Sequence, residues 1–313
     1  MAFNWQTFRT RALSAIVFVI VMLFGLLWNH WSFLALFSII HFGCWIEYQR
    51  LVEKIDPKYA NISAFHRYGV MFTGWGFMLW MTNEAYNISE VRMSDIGFWM
   101  MVVGAVAVNV DTVMQRRGKL IAHSLMGLLY ISLGLGLLIN MYDVTPQVFI
   151  KPEYFSFSDL EKPVNTLLVL NAFQSGLTPV IIICCMWIND TMAYLVGSLI
   201  GKTPFSKISP KKTWEGTIGG VLLCTLIVGF LMTKLCASTG LKVPGYFHWY
   251  IIAAIAAIFG TLGDLFESKL KRLAGVKDSG QMMPGHGGFL DRFDSLLLAT
   301  PFVWLYIWLF VGR

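Results

Sequence analysis

The sequence predicts an all-α fold, a polytopic helical bundle in a membrane, and three observations lead to that prediction. Of its 313 residues, 56% are hydrophobic and only 13% are charged, against roughly 25% charged residues in soluble domains. Apolar stretches long enough to cross a bilayer recur along the whole chain. Lysine and arginine are distributed unevenly among the segments that connect those stretches. Lipid is therefore the expected surroundings for most of the surface.

Apolar stretches define about nine transmembrane helices. They cover residues 12–29, 31–47, 69–82, 96–110, 120–141, 166–188, 216–237, 247–263 and 294–311. Residues 189–201 alternate in polarity, which suggests a broken half-helix, a form that membranes accept where it is buried in protein or lines a wet cavity. We divide the chain into N-terminal membrane spans, 1–165, and a C-terminal membrane catalytic region, 166–313.

Basic residues predict that the N-terminus is inside and the C-terminus outside. When the connecting segments are assigned alternately to two sides, one side holds 18 of the 24 lysines and arginines, and such an excess marks the cytoplasmic side. The net charge of +6 is then mainly a topology signal, so no nucleic acid is needed as a partner. We expect a multi-pass protein of the cell's inner (plasma) membrane with its active site on the cytoplasmic side.

The loop after the sixth stretch contains the first candidate site residues. Asp190 directly follows an apolar run, where an uncompensated carboxylate is costly. If this segment is helical, Asp190 shares one face with Ala193, Tyr194 and Gly197, because residues spaced by three, four and seven lie together. Such a face suits the wall of a cavity better than a lipid surface.

Further along, Ser209 and Pro210 fit the N-cap and first turn of a helix. Lys211 and Lys212 would then lie at the positive end of the helix dipole, which is unfavourable unless an anion such as phosphate is present. A basic cluster that binds anionic lipid headgroups is the alternative. Together with Thr213, the pattern favours a phosphate site.

Two predicted helix ends near the last span each carry carboxylates three residues apart. They are Asp264 and Glu267 at the end of the eighth span, and Asp291 and Asp294 at the start of the ninth. Clustered carboxylates repel one another unless a positive charge lies between them. Oxygen ligands without cysteine suit Mg²⁺, which binds one or two carboxylates together with water and phosphate oxygens.

The linker before the last span is rich in glycine. Residues 284–288 read Pro-Gly-His-Gly-Gly, and glycines let a backbone approach a ligand closely while its N–H groups form an anion nest. His286 lies between the carboxylates and several cations, where it can hydrogen-bond a phosphate. Carboxylates for a metal, cations for phosphates and a glycine-rich loop together indicate phosphoryl or nucleotidyl transfer.

Residues 268–294 read S-x-L-K-R-x4-K-D-x-G-x2-M-P-x-H-G-G-F-x-D-R-F-D, which resembles the signature of the phosphatidate cytidylyltransferase family. Met283 departs mildly from that pattern, since Leu, Ile or Phe is usual before the proline. The segments 189–194 and 209–216 also resemble the family. The N-terminal half agrees only in containing several membrane spans.

The resemblance implies transfer of CMP from CTP to phosphatidate with release of pyrophosphate, on the cytoplasmic face and with Mg²⁺. It also implies a second cation, for which K⁺ is the candidate, a homodimer, and contact with membrane lipids. On the family pattern Asp264 and Asp291 hold the metals, with Asp294 and Asp190 nearby.

The remaining candidate residues are assigned by the chemistry of a triphosphate. The expected catalytic residues are Lys211, Lys212, Lys271, Arg272, His286 and Arg292. The expected substrate-binding residues are Ser209, Thr213, Lys277, Gly287 and Gly288. Because the phosphate of phosphatidate is largely ionised at pH 7, catalysis should depend on positioning and charge neutralisation.

Two other readings stay open at the level of sequence. A related enzyme, such as a CTP-dependent polyprenol or phytol kinase or an ether-lipid cytidylyltransferase, would use similar groups on another lipid. A transporter would also contain membrane charges and a broken helix. Against a transporter, the sequence shows no inverted repeat, and its charges gather at one membrane face.

Overall fold

The computed structural model of the protein describes residues 5–115, 120–149, 176–206, 208–239, 245–282 and 287–311. Long helices dominate these ranges. They are α1 (Trp5–Leu27), α2 (His30–Ile55), α3 (Ala64–Trp80), α4 (Met93–Gln115), α5, α6 (Leu177–Ile200), α7 (Trp214–Thr239), α8 (Phe247–Leu273) and α9 (Leu290–Phe310). Helix α5 begins as Ile121–Gly127, passes through a π-helical turn at Leu128–Ser132 and continues as Leu133–Phe149.

The predicted all-α, multi-pass fold is confirmed. Each of the nine predicted apolar stretches coincides with one of the helices α1 to α9 within the described ranges. Seven of these helices, namely α2 and α4 to α9, are long and apolar enough to cross a membrane. Helix α1 contributes a shorter apolar part, Leu13–Leu27, and α3 has 17 residues. The orientation of the helices stays a prediction.

The broken half-helix considered for residues 189–201 is wrong. Helix α6 continues without interruption through Ile200, and the N–H of Gly201 closes it by bonding the Gly197 carbonyl at 3.0 Å. Ala193 and Gly197 face α7, while Leu195 and Leu199 on the other side of the helix are exposed. The first part of the predicted stretch 166–188 lies outside the described residues.

Two compact units divide the chain. The first comprises residues 1–139 and 266–294, and α2 lies at its core with Phe33, Phe37, Trp45 and Tyr48 fully buried. Helices α3 and α4 approach each other through glycines on both helices. Small residues at a crossing let two backbones come close in a membrane, where lipid offers no hydrophobic driving force between helices.

The second unit comprises residues 140–265 and 295–313. A Cβ atom on Gly216 of α7 would lie 2.7 Å from the Ala193 carbonyl and 2.9 Å from the Gly197 Cα of α6. The small residues that the sequence placed on a cavity wall therefore serve helix packing. Tyr194, on the same predicted face, is 75% exposed.

Gly76→Ala tests the α3–α4 crossing. A Cβ at Gly76 would lie 2.6 Å from the Met101 nitrogen and 2.7 Å from the Gly97 carbonyl oxygen, so we expect a loss of about 1–3 kcal/mol of stability through overpacking. Thermal unfolding in detergent micelles measures it. Val103→Ala, on the exposed side of α4, is the control.

Helix propensity by itself predicts the opposite sign, because Ala is favoured over Gly by about 1 kcal/mol in a helix interior. An unchanged or raised melting temperature for Gly76→Ala would therefore contradict the close crossing.

Candidate active site

A lysine between two carboxylates forms the centre of the first polar cluster. The Lys271 ammonium on α8 lies 2.6 Å from Glu267 Oε2 and 2.7 Å from Asp291 Oδ1. Glu267 is completely buried, and the Lys271 side chain is only 14% exposed. Because a buried charge needs a partner of opposite sign, this lysine joins the end of α8 to the first turn of α9.

Asp291 is held by donors on both of its oxygens. While Oδ1 accepts from Lys271, Oδ2 accepts from the backbone N–H groups of Ser279 at 2.9 Å and Gly288 at 2.8 Å, and from the Ser279 hydroxyl at 2.9 Å. Bonds to a charged acceptor are stronger than neutral ones. The orientation of this carboxylate is therefore determined by the loop that precedes α9.

A third carboxylate, Glu47 of α2, contacts the same loop. Its Oε1 accepts from the Phe289 N–H at 2.9 Å, and its Oε2 accepts from the Leu290 N–H at 2.9 Å and from the Ser279 hydroxyl at 2.7 Å. Glu47 is 5% exposed. Its negative charge lies at the N-terminus of α9, where unpaired N–H groups and the helix dipole favour an anion.

The glycine-rich loop does form an anion nest, but its anions are carboxylates of the protein. Gly287 has φ +86°, a left-handed conformation that suits glycine. A Cβ at Gly287 would lie 2.6 Å from Asp291 Oδ2, and one at Gly288 would overlap the Glu47 carboxylate. The N–H groups of Gly288, Phe289 and Leu290 are bonded to Asp291 and Glu47. The phosphate contact predicted for residues 284–288 stays a prediction, because residues 283–286 lie outside the described residues.

A second polar cluster lies in the other unit. The Lys212 ammonium forms an ion pair with Asp264 of α8, and Asp190 of α6 is close enough to interact electrostatically with both. Beneath them, the Asn189 amide donates to the Thr261 hydroxyl at 3.2 Å and is buried. Three predicted site residues are thus brought together, as the sequence suggested.

The predicted helix with Ser209 as its N-cap is wrong. The segment is a turn, closed by the Lys212 N–H donating to the Ser209 carbonyl at 3.1 Å, and α7 begins only at Trp214. Thr213 provides the cap instead, since its hydroxyl accepts from the Gly216 N–H at 3.2 Å. Backbone bonds across this loop, such as Phe205 N–H to the Lys212 carbonyl at 2.8 Å, stabilise the turn.

The surroundings of several other predicted residues are as follows. Lys211 and Arg292 are exposed, and Arg272 donates to the Val276 carbonyl at 3.4 Å. Asp294 is buried one turn after Asp291, and its carbonyl accepts from the Tyr130 hydroxyl at 3.5 Å. His286 lies outside the described residues.

Lys277 lines a cavity of about 600 Å³ beside the first cluster. Arg50 and Lys54 from the end of α2 add two more cations to its wall, and Ser279 and Gly280 form its inner side. Cavities that bind small ligands usually measure about 300–1,000 Å³. Glu53 and Asp278 also line the cavity, so its wall holds three cations and two carboxylates.

Sequence reasoning missed Glu47, Ser279, Arg50 and Lys54. Glu47 did carry a signal, because it is an ionisable residue at the end of an apolar span, and such residues are functional candidates by default. Ser279 carried none, since one serine in a polar loop is unremarkable. The two cations appeared only as part of the topological excess of basic residues.

The carboxylates of the two polar clusters are the candidate ligands for a metal ion. Among the described residues, no three His, Cys, Asp or Glu side chains converge in a ready-made metal cage. Mg²⁺ does not require one, because it usually binds one or two carboxylates and takes its other ligands from water and phosphates. The hard oxygens of Asp264 and Asp291, each beside a lysine, fit that manner of binding.

The helices α1 to α9 and the two clusters of carboxylates and lysines describe a multi-pass membrane protein. The chain belongs to the cytidylyltransferase family, whose model matches residues 9–310.

Individual relatives agree with this assignment. The phosphatidate cytidylyltransferase of Bacillus subtilis (strain 168) is 42% identical over 144 residues, which are 45% of this chain and 52% of that protein. That of Synechocystis sp. is 37% identical over 177 residues, 55% of this chain and 52% of the relative. That of Staphylococcus haemolyticus is 48% identical over 119 residues, which are 37% of this chain and 43% of that protein. The chain spans about half the length of the curated relatives it matches.

Lys271→Met tests the lysine at the centre of the first cluster. It leaves Glu267 and Asp291 facing each other without the cation, and removing one partner of a buried ion pair typically costs about 3–5 kcal/mol. We expect a correspondingly lower melting temperature in detergent. Adding Glu267→Gln should recover part of the loss, because it removes one of the two opposed charges.

Lys269→Met is the matched control, since Lys269 is exposed on the same helix. Equal melting temperatures for Lys271→Met and Lys269→Met would show that the ion pairs contribute nothing to the fold.

Proposed function

We propose that this protein transfers CMP from CTP to phosphatidate, giving CDP-diacylglycerol and pyrophosphate. One observation carries the proposal: Asp291, in the motif that resembles phosphatidate cytidylyltransferases, shares the Lys271 ammonium with Glu267 and is linked to Glu47 through the Ser279 hydroxyl. Two carboxylates beside a single ammonium leave an excess of negative charge that a divalent cation can offset. The names of the three relatives support CTP and phosphatidate as substrates.

The reaction balances without a further reactant. A phosphate oxygen of phosphatidate attacks the α-phosphorus of CTP, the bond from that phosphorus to the bridging oxygen of the β-phosphate breaks, and pyrophosphate leaves with the electron pair. Asp264 and Asp291 are the proposed Mg²⁺ ligands, with Asp190 and Asp294 nearby and K⁺ as the candidate second cation. When bound, Mg²⁺ neutralises charge that develops on the phosphates.

The protein's own residues position the substrates and offset their charge. Lys212 and Lys271 each orient a carboxylate, and Lys211, Arg272, His286 and Arg292 are proposed to offset the triphosphate and the departing pyrophosphate. Ser209, Thr213, Lys277, Gly287 and Gly288 are the proposed substrate-binding residues. The cavity at Arg50, Lys54 and Lys277 is proposed to take a phosphate-bearing ligand beside Ser279.

Purified protein incubated with labelled CTP, a panel of lipid phosphates and either Mg²⁺ or chelator tests this function. We expect a CDP-lipid and pyrophosphate, only with phosphatidate and only when Mg²⁺ is present. A phosphorylated lipid with CDP would instead identify a related lipid kinase. No turnover of any lipid would favour the transporter, the third reading of the sequence.

Asp291→Ala should lower kcat by roughly a hundredfold or more, because an electrostatic group acting on the transition state is lost. Asp95→Asn, at an exposed carboxylate in the first turn of α4 that pairs with Arg92, should retain the parent rate. Turnover by Asp291→Ala at the parent rate, in protein with an unchanged melting temperature, would refute the assignment.

We also propose that the protein lies in the inner (plasma) membrane with its active site facing the cytoplasm, and acts as a homodimer among membrane lipids. Exposed Lys58 belongs to the cation-rich side and exposed Arg92 to the other. A membrane-impermeant maleimide should therefore label Arg92→Cys in intact cells, and Lys58→Cys only after permeabilisation.

The parent protein measures background labelling in that experiment, because four of its five cysteines are buried and Cys184 is half-buried. The reverse labelling pattern would mean that the membrane orientation is inverted.

A further inference from the structure

Glu47 is far from the motif in sequence, yet it accepts hydrogen bonds from two backbone N–H groups and one hydroxyl of the motif. We propose that Glu47 is a positioning residue, which holds Ser279 and residues 289–291 so that Asp291 faces the reaction in one orientation. The inference rests on the proposed function, in which Asp291 acts on the metal-bound substrate.

The Glu47 carboxylate accepts hydrogen bonds from three donors of the motif. Two successive N–H groups, those of Phe289 and Leu290, and the Ser279 hydroxyl all donate to Glu47 at 2.7–2.9 Å. The two N–H groups belong to the start of α9, where no carbonyl of the helix itself can accept them. Glu47 therefore acts as an N-cap supplied by another helix.

The Ser279 hydroxyl links Glu47 to Asp291. The Ser279 hydroxyl lies 2.7 Å from Glu47 Oε2 and 2.9 Å from Asp291 Oδ2, so its single proton is shared between two acceptors or alternates between them. The Ser279 N–H donates to the same Asp291 oxygen at 2.9 Å. Any movement of Ser279 that follows the loss of Glu47 is thus passed directly to Asp291.

Close packing between α2 and the motif explains why glycines occur both in the motif and on α2. A Cβ atom on Gly280 or Gly288 would overlap the Glu47 carboxylate. One turn earlier on α2, Gly43 leaves room for the Phe289 ring, which a Cβ there would overlap. Helix α2 therefore contacts the start of α9 at two positions four residues apart. Gly43 leaves space for the Phe289 ring, and Glu47 accepts hydrogen bonds from the Phe289 and Leu290 N–H groups.

Glu47→Gln is the direct test, because it keeps the size of the side chain but replaces one acceptor by an NH₂ donor. One backbone N–H of α9 must then lose its partner. We expect kcat to fall roughly ten- to a hundredfold, as for other groups that orient a ligand residue, with KM for CTP within about twofold of the parent. Amide hydrogen exchange by mass spectrometry should accelerate roughly tenfold in peptides containing Phe289 and Leu290, the equivalent of one net hydrogen bond.

Gln49→Met is the matched control for simple destabilisation of α2. Gln49 is 2% exposed, lies two residues from Glu47 and donates to the Arg67 carbonyl at 3.0 Å, away from the motif. Gln49→Met should lower the melting temperature, while kcat and the amide hydrogen exchange of the peptides containing Phe289 and Leu290 stay at parent values. Equal loss of kcat in Gln49→Met and Glu47→Gln would overturn the proposal, because the effect would then be general.

Gly43→Ala displaces the same segment without touching the carboxylate, and it covers the case in which Glu47→Gln does not fold. Because Ala favours a helix over Gly by about 1 kcal/mol, α2 itself should not weaken. We expect the same fall in kcat and the same accelerated exchange. Parent kcat in both variants, or faster exchange with parent kcat, would overturn the positioning role.

These outcomes are separable from failure of the proposed function. If the parent protein does not convert CTP and phosphatidate, the function fails, and with it the role of Glu47 in that reaction, while the exchange measurement still reports whether Glu47 holds the loop. If the parent is active and Glu47→Gln matches it in kcat and exchange, only the inference on Glu47 is overturned.

Discussion

The ammonium of Lys271, held between Glu267 and Asp291, is the interaction on which the first polar cluster depends. A carboxylate as buried as Glu267 cannot remain ionised without a positive partner, and the partner that α8 offers is one turn further along. That lysine in turn requires the start of α9 to approach the end of α8. The described ends of the connection between the two helices, Ser279 and Gly288, therefore return to the same carboxylate, Asp291.

Glycine makes that return feasible, and the reason is close approach as much as backbone conformation. Gly287 adopts a left-handed φ of +86°, whereas Gly280 and Gly288 are needed because a carboxylate occupies the place of a side chain. The nest in the loop therefore binds anions of the protein itself. An arrangement in which backbone donors orient carboxylates, and carboxylates orient a metal-bound substrate, is the preorganisation that phosphoryl chemistry relies on.

The helices were predictable because each corresponds to a contiguous run of mainly apolar residues in the sequence. Nine apolar stretches located α1 to α9, and the spacing of carboxylates together with the family resemblance pointed to Asp264 and Asp291. Partners were not predictable, because the paired residues are distant: Lys271 and Asp291 are 20 positions apart, Lys212 and Asp264 are 52 apart, and Glu47 and Ser279 are 232 apart. The N-cap expected at Ser209 failed for the same reason, since backbone bonds across the loop outweighed a local preference.

The sequence by itself determined the class of fold, the positions of the apolar helices among the described residues and the family resemblance, because hydrophobicity and short motifs are local properties of the chain. Only the tertiary structure decided which charges meet. It showed that lysines already hold Asp264 and Asp291, that small residues on α6 serve packing, and that Glu47 from an N-terminal span caps α9. The physical reason is that a buried charge is stabilised by whichever partner the packing of helices brings within hydrogen-bond distance, and that packing is not recorded at any single position.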